Sequence, residues 1–455
     1  MALSGLEIYK LLPKTNCKDC GFPTCLAFAM KLAQKQVELA ACPHVSEAAQ
    51  AALSDAAAPP IRLITLSSNG NKLEVGNETV LYRHEKTFFH QPGIFVRVSD
   101  DLPLDEIKAR TAEVDGYVVD YVGMPLSYDG LAIAYASGNP EQFGDAVKAV
   151  CDTTHKLLIL IADDPAALKA GLAAADGRTP LLCAANAENW RRVALAAKNA
   201  KAPLVVRVDD SDPSTSSEQR LDGLAKLTED IAKFGVDDLV LDPGVRGFNE
   251  SLATITHIRR LALKENFRAL GYPVITFPGE GATSQLDEVT LAGQQIAKYA
   301  GFVVLDHFTE ASAYALLVLR ANIYTDPQKP IQVEPGVYPI NNPGPDSPLM
   351  VTTNFSITYF SVANEVESSG LPGWLLVADA EGMSVLTAWA AGKFDAERIA
   401  KAVKESGASG KISHKQVILP GHVAVLMGEL EEELPGWEIK VGPREAVDLP
   451  AFLKM

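Results

Sequence analysis

Four of the six cysteines in this chain lie within its first 42 residues, at spacings that suit a metal-cluster pocket. They are Cys17, Cys20, Cys25 and Cys42. These spacings let one loop supply three thiolates while the fourth returns from further along, as a 4Fe-4S cluster requires. Gly21 has no Cβ and lets backbone amides approach the sulfurs, and Pro43 follows the last cysteine, as in bacterial ferredoxin motifs. The pattern predicts a 4Fe-4S cluster.

Structural zinc and disulfides are the alternatives for the same four cysteines. Zinc usually takes two well-separated Cys-x2-4-Cys pairs, whereas three of these cysteines are bunched and one stands alone. Residues 1–14 lack the basic start, apolar run and cleavage site of a secretory signal, so we expect a reducing, cytoplasmic location without disulfides. Cys151 and Cys183 have apolar neighbours and are predicted to be buried structural thiols.

Length and composition limit the class of protein. At 455 residues the chain is too long for a single core, so two or three domains are expected. No stretch has the roughly 18 uninterrupted apolar residues of a membrane span. The formal net charge is −16 and Lys and Arg form no cluster, which argues against a nucleic-acid surface, because phosphate contacts need grouped positive charges. Neither a membrane nor a nucleic acid is an expected partner.

Residues 1–60 are predicted to form a small helical cluster module with a linker. Residues 24–41 repeat apolar side chains at helical spacing. Residues 46–60 are Ala-rich and end in two prolines, which predicts a helix and then a linker on which the module moves. Residues 61–90 alternate apolar and polar side chains around an Asn-Gly-Asn sequence, a hairpin signal, and are expected to cover one end of the next domain.

Eight short apolar runs, separated by helical patterns, follow from residue 93 onward. They are residues 94–98, 116–119, 157–161, 180–183, 204–208, 238–241, 274–277 and 302–305. Continuous Val, Ile and Leu runs are typical of strands that are buried on both faces. Eight βα units suit a closed (β/α)8 barrel better than an open sheet, so residues 61–325 are predicted to form a TIM barrel.

Polar residues follow nearly every predicted strand, at the face where barrel enzymes place their active sites. They are Asp100, Asp120, Asp163, Asn186, Asp209, Asp242, Glu280 and Asp306. Two interpretations stay open, because Asp and Asn also cap the helices that follow strands and then need no substrate. Among the histidines only His307 lies beside a strand end, so we assign no catalytic residue.

Residues 326–455 are predicted to form a third domain, a doubly wound, Rossmann-like α/β layer. Prolines recur from residue 327 to residue 348, which is typical of an extended, semi-rigid connector. Beyond it the predicted strands are residues 350–353, 373–378, 416–419 and 437–441, with helical patterns at 384–391 and 396–404 and further apolar segments at 355–367 and 424–427.

The carboxyl ends of these strands form a predicted binding edge, since open α/β sheets bind ligands there. Gly382 permits a close backbone approach, and the amides of residues 383–385 open a helix, giving donors suited to an amide-rich or phosphate-bearing ligand. Thr352 and Thr358 add hydroxyl groups. No Gly-x-Gly-x-x-Gly follows the first strand, so a dinucleotide is not indicated and the residues alone do not name the ligand.

The chain resembles one known family in its opening segment, LSGLEIYKLLPKTNCKDCGFPTCLAFAMKLAQ. That family is the large (gamma) subunit of the corrinoid/iron-sulfur protein of the anaerobic acetyl-CoA pathway. The resemblance continues in RRLALKENFRALGYPVIT, RANIYTDPQKPIQVEPGVYPI, VTTNFSITYFSVANEVES, EGMSVLTAWAAGKF and VGPREA. It therefore covers effectively the whole chain.

The resemblance implies a 4Fe-4S cluster in the first domain and a corrinoid, cobalamin, in the third. It places the cluster ligands on Cys17, Cys20, Cys25 and Cys42, and the corrinoid contacts on Thr352, Thr358, Gly382, Met383, Ser384, Val385 and Ala446. It also implies a heterodimer with a smaller TIM-barrel subunit. Further implied partners are a methyltetrahydrofolate-dependent methyltransferase, acetyl-CoA synthase/CO dehydrogenase, and a reductive activator or ferredoxin.

The function implied by the resemblance is that of a methyl carrier. In this family Co(I) accepts a methyl group from the methyltransferase and passes it to acetyl-CoA synthase, and the cluster restores cobalt that has been oxidised to Co(II). Many corrinoid domains supply an axial histidine from an Asp-x-His-x-x-Gly loop, which this sequence lacks. A base-off corrinoid without a protein axial histidine is therefore implied, and such a cofactor is more easily reduced.

Two other functions stay open. A pterin-binding TIM-barrel methyltransferase with an attached iron-sulfur electron-transfer module is motivated by the ring of Asp and Asn residues, and binding of methyltetrahydrofolate by the isolated chain would favour it. An iron-sulfur electron carrier on a structural scaffold is the third interpretation. Absence of corrinoid absorption after reconstitution would favour that one.

Overall fold

The structure, a computed structural model, describes residues 5–33, 37, 39–46, 49, 59–68, 70–208, 216–325 and 331–455. The chain divides into two compact units. The first comprises Met1–Tyr117 and Ser127–Tyr324, and the second comprises Val118–Leu126 and Thr325–Met455. The predicted Ala-rich linker lies almost wholly outside the described residues. None of the described helices combines the length and apolar character that crossing a bilayer requires.

The strands are β1 (Ile64–Ser68), β2 (Asn71–Val75), β3 (Gly93–Ser99), β4 (Val119–Tyr121), β5 (Met124–Leu126), β6 (Gly130–Ala134), β7 (Leu157–Ile161), β8 (Leu181–Ala185), β9 (Leu204–Arg207), β10 (Leu239–Asp242), β11 (Val274–Thr276), β12 (Ala300–Leu305), β13 (Gly336–Ile340), β14 (Leu349–Thr353), β15 (Gly373–Ala378), β16 (Gln416–Leu419) and β17 (Glu438–Val441).

The helices are α1 (Gly5–Leu11), α2 (Cys25–Ala33), α3 (Leu104–Gly116), α4 (Pro140–Thr153), α5 (Pro165–Ala174), α6 (Trp190–Ala200), α7 (Ser217–Phe234), α8 (Phe248–Lys264), α9 (Gln285–Ala297), α10 (Glu310–Ile323), α11 (Ser356–Ser368), α12 (Val385–Ala390), α13 (Ala396–Glu405), α14 (Met427–Glu433) and α15 (Leu449–Phe452). Short 3-10 turns lie at Leu39–Ala41, Arg268–Leu270, Pro278–Gly281, Ala408–Gly410, Gly421–Leu426 and Ala446–Asp448.

The N-terminal helices α1 and α2 share a small apolar core that includes Ile8 and Phe28. Thr24 caps α2, because the amide of Ala27 donates to its hydroxyl at 3.1 Å. The α-helix predicted for residues 24–41 does not extend to residue 41: α2 is described from Cys25 to Ala33, and Leu39–Ala41 form a 3-10 turn. Helix α1 was not predicted from the sequence.

Eight parallel strands close into a barrel in the order β3-β6-β7-β8-β9-β10-β11-β12, which confirms the predicted TIM barrel. The pairing of Phe302 in β12 with Gly93 in β3 closes the ring. The hairpin β1-β2 contributes Ile64, Leu66 and Val75 to the same apolar cluster as Phe302. The predicted hairpin therefore packs on the barrel, as expected.

The second barrel strand differs from the prediction. Residues 116–119 were expected to form it, but Val119 begins β4 instead. Strand β4 pairs antiparallel with β5, and both strands belong to the second unit. Val122 and Gly123 turn this hairpin tightly, with φ of 52° and 85°. The barrel strand is β6, whose small residues hid it from a search for bulky apolar runs. One of them, Gly130, is required because a Cβ there would lie 2.4 Å from the ring of Phe95.

The second unit is built on a five-stranded sheet in the order β13-β15-β14-β16-β17. All neighbours are parallel except β13, which runs antiparallel to β15. Alternate residues of β14 face two helical layers: Val351 packs with α12, α13 and α14, whereas Met350 packs with α11 and α15. Part of the predicted Pro-rich connector is therefore wrong, since it forms β13, an edge strand that tolerates Pro339.

Candidate functional site

The loop between α1 and α2, which carries the first two cysteines, is tightly wound. Lys14, Asn16 and Lys18 have φ of 59°, 51° and 71°, a region that non-glycine residues seldom adopt. Contacts to α2 hold the loop in place: the amide of Cys25 donates to the side-chain oxygen of Asn16 at 2.8 Å, and the amide of Asn16 donates to the Cys25 sulfur at 3.4 Å. The loop that carries Cys17 and Cys20 is thus tied through Asn16 to the start of α2.

Three of the four predicted cluster ligands lie in one apolar cluster. Cys25 and Cys42 are buried in it, Cys20 packs against it, and Cys17 is exposed. Sulfur ligands, an amide donated to one sulfur, and an apolar cover are the features with which proteins hold and tune iron-sulfur clusters. The donor set therefore fits a 4Fe-4S cluster.

Two further side chains beside Cys17 were missed by sequence reasoning. The Asp19 carboxylate lies 2.5 Å from Nε2 of His44, and the ligand-type atoms of Cys17, Asp19 and His44 are all within 4.8 Å of one another. Hydrogen bonds from His44 and Cys17 lower the pKa of Asp19. Sulfur, imidazole and carboxylate together also suit zinc, so the zinc alternative has a structural counterpart here. The sequence feature that could have indicated this group is the position of His44, two residues after Cys42.

The two remaining cysteines are buried in the barrel unit. Burial raises the pKa of both the Cys151 and the Cys183 thiol. Raised thiol pKa values and inaccessible sulfurs are typical of unreactive, structural cysteines.

A cavity of about 300 Å³ opens at the carboxyl edge of the sheet in the second unit. Its lining includes five of the seven residues that the resemblance assigns to the corrinoid, namely Thr352, Thr358, Ser384, Val385 and Ala446. Gly382 and Met383 lie in the adjoining loop and are not part of the lining. Apolar side chains such as Ile418 and Leu449 form much of the remaining wall.

One buried hydroxyl in this cavity has no protein partner. Thr352 is 1% exposed, and its Oγ1 makes no hydrogen bond within the described residues. Thr353 also has an unpartnered hydroxyl, but it does not line the cavity. A buried polar group without a partner costs about 1–3 kcal/mol. A ligand with amide groups, such as a corrinoid, would satisfy Thr352, so the cavity fits such a ligand.

The loop that follows β15 uses some of the amides expected for the ligand. The amide of Gly382 donates to the side-chain oxygen of Asn354 at 2.9 Å, and that of Met383 donates to the carbonyl of Ala380 at 3.1 Å. These two amides are engaged within the protein. Ser384 and Val385, which follow, line the cavity instead.

His422 also lines the cavity and was missed by sequence reasoning. Its Nε2 lies 3.7 Å from a carboxylate oxygen of Glu445, which is likewise part of the lining. The signal was present, because His422 directly follows the Pro-Gly pair at the end of β16. An imidazole therefore stands in the cavity wall, although the sequence lacks the loop that carries an axial histidine in many corrinoid domains.

Arginines pair with the carboxylates at the mouth of the barrel. Arg97 donates to Asp306 at 2.7 Å and to Glu280 at 2.9 Å. Arg246 donates to the other oxygen of Glu280 at 2.6 Å and to both oxygens of Asp242 at 2.9 and 3.0 Å. Both guanidinium groups lie over the ring of Phe277. Burial lowers the pKa of Arg246, but the carboxylates of Asp242 and Glu280 raise it by more than burial lowers it. The net shift of this pKa is therefore upward.

Of the other ring residues, those that the structure describes also have intramolecular partners. Asp163 accepts from Arg207 at 2.7 Å, and Asn186 accepts from the amide of Asn189 at 3.0 Å. Asp100 accepts from the amides of residues 136 and 137. Asp120 lies in the β4-β5 hairpin, so its predicted place at the barrel mouth is wrong, and Asp209 lies outside the described residues. The geometry favours the structural interpretation of the ring.

We expect Arg246→Met to destabilise the barrel by about 3–5 kcal/mol, because it leaves the Asp242 carboxylate, which is 0% exposed, without its bidentate partner. The free energy of unfolding, measured by denaturant titration, checks this. Arg110→Met removes an exposed ion pair with Glu106 and should change stability far less. Equal effects of the two substitutions would contradict a structural role for the arginine network.

Two family models together match most of the chain. Residues 63–453 match the family described as CO dehydrogenase/acetyl-CoA synthase delta subunit, and residues 12–44 match the one described as putative Fe-S cluster. Over the barrel the structure is similar to the dihydropteroate synthase of Coxiella burnetii in complex with pteroic acid, with 14% identity, a TM-score of 0.39, and coverage of 53% of this chain and 97% of the synthase. At that level of similarity the pterin ligand implies nothing for this chain.

Two relatives are similar over their full lengths. The corrinoid/iron-sulfur protein large subunit of Moorella thermoacetica is 45% identical over 454 residues, which cover 100% of this chain and 99% of the relative. The acetyl-CoA decarbonylase/synthase complex subunit gamma of Methanopyrus kandleri is 34% identical over 464 residues, which cover 99% and 97% of the two chains. The chain therefore belongs to the family of the corrinoid/iron-sulfur protein large (gamma) subunit.

Proposed function

We propose that this chain is a methyl-group carrier of the anaerobic acetyl-CoA pathway, with a corrinoid in the cavity of the second unit and a 4Fe-4S cluster at the cysteine loop. The observation that carries the proposal is the 45% identity, over the full length, to a corrinoid/iron-sulfur protein large subunit. The unpartnered hydroxyl of Thr352 in the cavity and the apolar setting of Cys25 and Cys42 support it.

The proposed cluster ligands are Cys17, Cys20, Cys25 and Cys42, and the proposed corrinoid contacts are Thr352, Thr358, Gly382, Met383, Ser384, Val385 and Ala446. When bound, the corrinoid supplies a cobalt centre that takes up and hands on a methyl group, and the cluster supplies single electrons at low potential. In this scheme the Thr352 hydroxyl bonds to the ligand's polar edge. The apolar wall around it keeps water away.

The proposal extends to domains, partners and location. We propose a cluster domain with linker at residues 1–60, a TIM barrel at 61–325 and a Rossmann-like corrinoid domain at 326–455. The proposed partners are a smaller TIM-barrel subunit in a heterodimer, a methyltetrahydrofolate-dependent methyltransferase, acetyl-CoA synthase/CO dehydrogenase, and a reductive activator or ferredoxin. The proposed location is the cytoplasm.

Binding measurements on the purified full-length chain separate this function from a pterin-dependent methyltransferase. We expect cobalamin to bind and methyltetrahydrofolate not to bind, because arginines already occupy Asp242, Glu280 and Asp306 at the barrel mouth. Equilibrium dialysis against each compound checks this. Binding of methyltetrahydrofolate without cobalamin would contradict the carrier function and favour the methyltransferase.

A further inference from the structure

Asn354 lies directly after β14, at the point where two loops meet, and is 2% exposed. Its side-chain oxygen accepts from the amides of Ala380 and Gly382, both at 2.9 Å. Its side-chain nitrogen donates to the side-chain oxygens of Gln332 and Asp379, both at 3.2 Å. One buried amide group therefore makes four hydrogen bonds and joins three segments that are distant in sequence.

The turn that Asn354 holds has an unfavourable backbone conformation. Glu381 and Gly382 have φ of 54° and 71°, so two successive residues are left-handed and the first is not glycine. Ala380 is fully buried, and its amide depends on the Asn354 oxygen for a partner. Without that oxygen, the turn would lose the bonds of two amides at once.

The same turn leads directly into the cavity wall. Met383 bonds back to Ala380, and Ser384 and Val385 then line the cavity. Thr352 precedes Asn354 by two residues, and in an extended strand such residues point to the same face. One strand end thus carries both the cavity hydroxyl and the group that holds the neighbouring wall.

We propose that Asn354 is a positioning residue for the cavity: its amide fixes the turn at residues 379–382 and thereby sets where Ser384 and Val385 meet the ligand. The identity of that ligand as a corrinoid rests on the proposed function. The Gln332 side chain packs closely against the same turn, since a Cβ on Gly382 would lie 2.4 Å from it.

The test compares Asn354→Ala with Asn341→Ala in the full-length chain. Asn341 is a matched control because its side-chain nitrogen also donates to backbone carbonyls of the same unit, those of Val366 and Glu367 at the end of α11 and of Leu371 just after it. These residues do not line the cavity. Both substitutions should therefore lower stability, and only the first should affect the ligand.

Three measurements distinguish the variants. Titration with cobalamin should show binding weakened about tenfold or more by N354A and changed by less than about twofold by N341A. The visible circular dichroism of bound cobalamin should change shape in N354A alone. Hydrogen exchange in the ligand-free chain should become faster at residues 380–386 in N354A but not in N341A. If N354A does not fold, Asn354→Ser, which keeps one acceptor oxygen, serves in its place.

The outcomes separate this proposal from the proposed function. If the unaltered chain binds cobalamin and N354A binds it as tightly, the positioning role is overturned and the carrier function stands. If the unaltered chain binds no cobalamin either alone or co-expressed with its proposed smaller subunit, the carrier function fails, and hydrogen exchange alone decides the role of Asn354. Equal exchange at residues 380–386 in N354A and N341A then overturns it.

Discussion

Replacing Cys42 by serine is expected to remove most of the iron from the chain, from about four atoms per chain to less than about one. Cys42 is 8% exposed and shares an apolar cluster with Cys25, so a serine hydroxyl there would be a poor ligand with no access to solvent. Metal analysis after anaerobic purification measures the loss. The charge-transfer absorption of the cluster should disappear with the iron.

Two controls sharpen this experiment. Cys151→Ser alters another buried cysteine, outside the cluster module, and should leave the iron content unchanged. His44→Ala tests the group formed by Cys17, Asp19 and His44: iron should be retained if the four cysteines are the ligands, and the metal should be lost if His44 is one. Full iron content in the Cys42 variant would contradict the ligand assignment.

Replacing Thr352 by valine is expected to have opposite effects on the free chain and on its complex with a corrinoid. Valine has the same shape without the hydroxyl, so the ligand-free chain should gain about 1 kcal/mol in free energy of unfolding, because a buried group without a partner is removed. Corrinoid binding should weaken about tenfold, since the ligand loses a hydrogen bond. Denaturant titration and cobalamin titration measure the two effects.

Thr353→Val is the matched control for this prediction. Its hydroxyl is also buried and unpartnered, but it does not line the cavity. It should therefore stabilise the free chain to a similar extent and leave cobalamin binding unchanged. Equal loss of binding in both variants, or no loss in either, would show that Thr352 does not contact the ligand.

The positions of the barrel strands were predictable where those strands are rich in bulky apolar residues. Seven of the eight expected runs overlap barrel strands, because burial on both faces leaves a continuous Val, Ile and Leu signal. The exception, β6, reads Gly-Leu-Ala-Ile-Ala, and its small residues reflect packing against Phe95 that the sequence does not display. The edge strand β13 was hidden for another reason: it contains Pro339 and lies in a proline-rich stretch that is typical of a connector.

The candidate sites were predictable only where side chains of one type recur at short spacing. The four cysteines form such a pattern. The hydroxyl and glycine residues at the edge of the sheet differ in type and are spread along the chain, so their assignment to a corrinoid depended on the family resemblance. The role of Asn354 was not predictable, because its partners lie 22 to 28 residues away in the sequence and only the fold brings them together. His422 was missed although it directly follows the Pro-Gly pair at the end of β16, because a single histidine at such a position does not by itself indicate a ligand site.

The most direct test is an anaerobic ultraviolet-visible spectrum with metal analysis, before and after a low-potential reductant. The chain is co-expressed with its proposed smaller barrel subunit and supplied with cobalamin. We predict about one cobalt and about four iron atoms per chain, and a base-off Co(II) band that gives way to Co(I) on reduction. Iron without cobalt would contradict the carrier function, and zinc in place of iron would contradict the cluster.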